Sequence, residues 1–77
     1  MTSPHENYAS LTNQYTLVNR ATIEATELHQ SGRLVESKRV YDIGAQILAV
    51  HVDYWHPNAE NIWREKLDRA VQEAWSA

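Results

Sequence analysis

Apolar residues recur along this chain at steps of three and four, the spacing that places them on one face of an α-helix. In the first third, Tyr8, Leu11, Tyr15, Val18, Thr22 and Ala25 keep this rhythm, which predicts a helix over about residues 4–30. Tyrosine and threonine dilute the stripe too much for an extended coiled coil, but it suits packing against a neighbouring helix. Ser3, Pro4 and Glu6 mark its start as an N-cap hydroxyl, a first-turn proline and a capping-box carboxylate. Thr12 and Asn13 are the points where it is open to interruption. Gly32 supplies the left-handed residue that commonly ends a helix.

A second helix is expected over about residues 34–55, with two adjoining stripes. Leu34, Tyr41, Ala45, Leu48 and Val52 form one, and Val40, Ile43, Ile47, Val50 and Tyr54 form the other. A helix apolar on two faces reads as the central element, covered on most sides. The β-branched content of residues 49–54 also permits a strand, although the helical spacing before it favours the helix. Pro57 stops this element and opens the next, since it disfavours helical geometry at His56 and lacks an N–H. From there Ala59, Ile62, Trp63, Lys66, Leu67, Ala70, Val71, Ala74 and Trp75 form the cleanest amphipathic pattern, over about residues 58–75. Glu60 with Arg64 and Glu65 with Arg69 are i,i+4 pairs on its solvated side, each contributing about 0.2–0.5 kcal/mol. The expectation is a single all-α domain, a three-helix bundle with a hairpin turning at Gly32 and a third amphipathic helix after Pro57.

Composition sharpens this picture. A chain of 77 residues buries only about 60% of its unfolded surface, a shortage that self-association as a homodimer would relieve. No cysteine is present, so disulfides, thiolate metal sites and thiol nucleophiles are excluded. Three tryptophans and four tyrosines without a phenylalanine are rings with polar handles, suited to interfaces as well as cores. The formal charge of −3 is spread among interspersed residues, which argues against a nucleic-acid footprint. Arg33, Lys38 and Arg39 after the Gly32 turn suggest a helix-turn-helix, but Glu36 and Asp42 offset them and the following helix is long and apolar. With neither a basic leader nor an apolar run of bilayer length, a soluble cytoplasmic protein with no membrane partner is expected.

Candidate chemistry concentrates in His51-Val52-Asp53-Tyr54-Trp55-His56-Pro57-Asn58. On one reading Tyr54 and Trp55 close the end of the bundle while His51 and His56 complement the helix dipole. On a second, His51, Asp53, Tyr54, Trp55 and His56 form a partner-binding patch, since Tyr and Trp are enriched in interface hot spots. A metal site through His51, Asp53 and His56 is disfavoured, because histidines five apart do not share a helical face. Trp75, close to the chain end, is expected either to dock onto Tyr8 and Leu11 or to be buried across a dimer interface. Enzymatic readings lack parts: there is no phosphate loop, nucleophile elbow or carboxylate pair in an apolar setting, so no catalytic residue and no cofactor is expected.

Two resemblances follow. Ala25, Leu28, Gly32, Ser37, Tyr41 and Gly44 resemble one helical hairpin of a tetratricopeptide repeat. Pro57 comes too late for that repeat, and without a second copy no solenoid is implied. Over more of the chain, Ala25, Leu28, Gly32, Ser37, Tyr41 and Ala45, then Trp63, Arg64 and Arg69, are similar to the ANR and PerC families of small bacterial regulators. The chain departs from them with Ser37 in place of the usual alanine, Tyr41 where tryptophan is common, and no C-terminal cysteine. The resemblance implies a helical adaptor that contacts a larger regulatory protein, with phage relatives. The function expected is a small non-catalytic adaptor of a bacterial or phage regulator. The alternatives are a phage-type inhibitor of a host defence complex and a nucleic-acid-binding regulator.

Overall fold

The computed structural model describes residues 4–76, with side chains described for residues 11–56 and 58–76. It is all-α. Helix α1 runs Pro4–Gln30, α2 Leu34–Ala49 and α3 Pro57–Ser76, with a single 3-10 turn at Val52–Tyr54 between the last two. α1 passes unbroken through Thr12 and Asn13. The cap expected at Ser3 lies outside the described residues, as do the side chains of Pro4, Glu6 and Tyr8.

The turn at Gly32 ends α1 through two paired hydrogen bonds. The Arg33 N–H donates to the Leu28 carbonyl at 2.9 Å and the Gly32 N–H to that of His29 at 3.0 Å, the Schellman arrangement. Gly32 has φ +81°, a region that a Cβ disfavours. The chain then reverses, and α2 packs antiparallel on α1. Small residues set how close the two helices come: a Cβ added at Gly44 would stand 2.9 Å from the Ala21 Cβ. At the turn end of the seam, the buried Ser37 hydroxyl donates to the Ala25 carbonyl.

α2 ends at Ala49, six residues before the expected point. Val50 is extended (φ −73°, ψ 123°), and the reason lies on α1. The side-chain amide of Gln14, only 3% exposed, donates to the carbonyls of Ile47 at 2.8 Å and Val50 at 2.6 Å. It thereby satisfies acceptors that a terminating helix leaves open. Past this point the His51 ring accepts the Asp53 N–H at 3.2 Å, a local side-chain bond that competes with continued helix. Residues 50–54 therefore form neither α-helix nor strand but a bend and a 3-10 turn.

α3 returns alongside α1 in the same direction. Asn13 donates to Glu60 at 3.1 Å near its start, Arg20 pairs with Asp68 midway, and the Trp75 indole donates to Glu24 at 3.3 Å near its end. Arg33 donates to the Ala74 carbonyl at 3.0 Å, closing the last turn of α3 onto the hairpin. The core lies where the three helices converge. It is formed by Leu17, Ala21, Ala25 and Leu28 of α1, Val40, Ile43 and Ile47 of α2, Trp55, and Leu67, Ala70 and Ala74 of α3. Leu28, Ile47, Leu67 and Val40 are fully buried, each worth about 1.5–3 kcal/mol of apolar transfer.

The row of α1 that enters this core matches the one its rhythm suggested only in part, at Ala25 and, at the core's edge, Val18. Gln14, Leu17, Ala21, Ala25 and Leu28 face inward, whereas Leu11, Tyr15 and Thr22 are exposed. The inward row is displaced by one residue, about 100° around the helix, and the polar Gln14 within it disguises it. The radius of gyration of 13.4 Å exceeds the ~11.5 Å expected for a compact chain of this length.

Candidate protein-docking surface

The α1–α2 hairpin has two broad sides. One is covered by α3. The other carries Leu11, Tyr15 and Thr22 of the α1 row that sequence spacing picks out, joined by Thr26, and one of the two α2 rows, Leu34, Tyr41, Ala45 and Leu48. Leu11, Tyr15, Leu34, Tyr41 and Leu48 are between 37% and 59% exposed. α2 therefore does not stand at the centre of the bundle; α3 covers one flank, and the Leu34, Tyr41, Leu48 row is open.

Two shallow grooves follow the seam of this side. One, of about 350 Å³, lies at the turn end between Thr26 and His29 on α1 and Leu34, Lys38 and Tyr41 on α2. The other, of about 310 Å³, lies at the far end between Leu11 and Tyr15 on α1 and the Leu48–Val52 stretch. The polar side chains along the strip between them have partners within their own helices. The Thr22 and Thr26 hydroxyls donate within the helix to the carbonyls of Val18 (3.0 Å) and Thr22 (2.8 Å). Lys38 is paired with Asp42 at 2.9 Å. A third groove, of about 460 Å³, lies between α2 and α3 and is charged, lined by Arg39, Asp42, Lys66, Arg69 and Glu73.

The residues singled out from the sequence do not form one patch. His51, Asp53 and Tyr54 cluster on the 3-10 turn. The His51 Nδ1 lies 3.5 Å from an Asp53 carboxylate oxygen, and its ring meets Tyr54 edge-on with centroids 6.2 Å apart. Tyr54 is 76% exposed. Trp55 turns the other way and is buried, closing the bundle end as core, and its indole N–H finds no acceptor among the described residues. His56 is exposed, and its carbonyl accepts the Glu60 N–H at the start of α3. Among the described residues no group of three His, Cys, Asp or Glu side chains is placed to hold a metal ion.

Trp75 sits at the opposite end of the bundle, the length of α3 (about 30 Å) from this cluster. It does not meet Leu11. Because α3 runs parallel to α1, its last turn reaches Glu24 and the Gly32 turn, where the Arg33 guanidinium lies 5.6 Å from the Trp75 ring centroid.

The exposed rows of Leu11, Tyr15, Tyr41 and Leu48 read as packing stripes in the sequence because periodicity reports a face, not what covers it. The available signal was numerical: α2 carries more apolar surface than the single α3 flank can cover. Among the described residues no helix is long and apolar enough to cross a membrane. No protein-family model, no curated protein and no solved structure matches the chain.

Proposed function

We propose that this chain is a small protein-protein interaction module that works without catalysis, and that it docks through the open side of the α1–α2 hairpin. The observation that carries this reading is the double row of large apolar side chains along that side, five of them more than one-third exposed. Contiguous exposed apolar surface is uncommon on monomeric proteins and marks interaction sites. The similarity of Ala25, Leu28, Gly32, Ala45, Trp63, Arg64 and Arg69 to the ANR and PerC regulators supports placing it among adaptors of bacterial or phage regulatory proteins.

The test is site-specific photo-crosslinking in bacteria expressing the chain, with a photoreactive residue at position 41 or, as a control, at Glu65 on the outer face of α3. Discrete protein adducts at position 41 and none at 65 are expected. No adduct at 41, or the same adducts from both positions, would overturn the assignment.

A further inference from the structure

The docking side has properties that suit one occupant in particular. We infer that it pairs with the same side of a second copy of this chain, forming a two-fold dimer in which the α1–α2 hairpins face one another. This deepens the docking assignment above and rests on it.

Area is the first argument. A folded monomer of 8.9 kDa is expected to expose about 4,800 Å², whereas this chain exposes 5438 Å². Taking a whole aromatic side chain as about 150–250 Å² and leucine as somewhat less, the five large side chains of the face present roughly 400 Å². Thr22, Thr26, Ala45 and the Lys38 stem surround them. Together these approach the ~800 Å² per partner of a standard stable interface.

Shape is the second. A two-fold axis through the middle of the face sets the turn end of one copy against the far end of the other. The two grooves lie at those two ends and are close in size, about 350 and 310 Å³. Each is bordered by protruding side chains, Leu34 and Tyr41 at one end and Tyr15 and Leu48 at the other, so each end supplies both a ridge and a recess for its opposite. Small residues, Thr22 and Ala45, occupy the middle, where the backbones must approach most closely.

Electrostatics is the third. The chain carries a net charge of −3, and like charges facing one another resist pairing. Among the described side chains lining the two grooves, Lys38 is the one cation of fixed charge, and its own helix pairs it with Asp42. The paired threonine hydroxyls likewise lose little on leaving water. The α2–α3 groove, with five charged side chains, lacks this neutrality.

Sedimentation equilibrium on the full chain, from low micromolar to several hundred micromolar, tests the inference. A species of twice the chain mass is expected. Tyr41→Lys and Leu48→Glu are expected to weaken it at least tenfold while leaving the far-ultraviolet circular dichroism unchanged, because both side chains are exposed in the single chain. Ile62→Lys, at an exposed α3 position, is expected to leave the dimer intact. A strictly monomeric chain at the highest concentration overturns the inference, as does a dimer that Ile62→Lys disrupts and Tyr41→Lys does not. A monomer that still yields position-41 adducts with a different protein refutes self-pairing alone. A monomer with no such adducts refutes the docking assignment as well.

Discussion

Replacing Gln14 with methionine removes the donor that closes the end of α2 while nearly preserving side-chain volume. The wild-type amide satisfies two carbonyls, those of Ile47 and Val50, from a position 3% exposed. Each intramolecular hydrogen bond contributes about 1 kcal/mol net, and a buried carbonyl left without its partner costs about 1–3 kcal/mol. The Ile47 carbonyl keeps the Val50 N–H at 3.2 Å, while the part-buried Val50 carbonyl loses the partner that Gln14 provides. The expected loss is therefore about 2–3 kcal/mol. That is a large part of the total for a chain this size, which at about 0.05–0.15 kcal/mol per residue is roughly 4–12 kcal/mol. Urea unfolding followed by circular dichroism measures the loss directly, and at about 4–8 °C per kcal/mol the melting temperature falls by 8 °C or more. Gln14→Glu should be worse than Gln14→Met, because an ionised carboxylate only accepts hydrogen bonds and would face two carbonyl oxygens. A methionine variant within about 0.5 kcal/mol of wild type, or a glutamate variant more stable than the methionine one, would refute the claim that Gln14 terminates α2.

Other substitutions probe the remaining joints of the fold. Gly44→Ala drives a methyl group to within 2.9 Å of the Ala21 Cβ, so the helices must part; a loss of about 1–3 kcal/mol is expected in the same unfolding assay. Gly32→Ala meets no steric neighbour but must hold φ near +81°, which costs about 1–2 kcal/mol, and Gly32→Asn should cost less. Arg33→Ala removes the hydrogen bond to the Ala74 carbonyl and the guanidinium over Trp75; hydrogen exchange in the last turn of α3 should accelerate before global stability falls by more than about 2 kcal/mol. Trp55→Phe relieves a buried N–H without an acceptor, so it should destabilise far less than the roughly 3–5 kcal/mol of Trp55→Ala.

Much of the fold was legible in spacing and punctuation. Gly32 turns the hairpin and Pro57 begins α3, because a positive φ and a missing N–H are properties of those residues alone and need no tertiary context. The end of α2 was hidden, since it depends on Gln14, whose amide bonds carbonyls 33 and 36 residues further along the chain, and a glutamine among apolar positions carries no sign of what it will bond. The choice between stripes was hidden too. Tyr15 and Tyr41 keep helical time as faithfully as Leu17 and Val40, and only the placement of α3 decides which pair is covered. The aromatic cluster at residues 54 and 55 divides for a related reason: the chain leaves the 3-10 turn after Tyr54 and is extended at Trp55 (φ −91°, ψ 103°), with Trp55 inward and Tyr54 outward.

The hairpin is pinned at both ends, by Ser37 on Ala25 and by Gln14 on Ile47 and Val50, so α2 cannot slide along α1. The offset from Leu34 to Leu48 is set by α2 itself, about 20 Å at 1.5 Å per residue, and the two pins hold the α1 row in fixed register beside it. Whatever lies along that seam meets a ruler with two marks four helical turns apart. A helix with apolar groups at a shorter or longer interval can engage one mark or the other, never both.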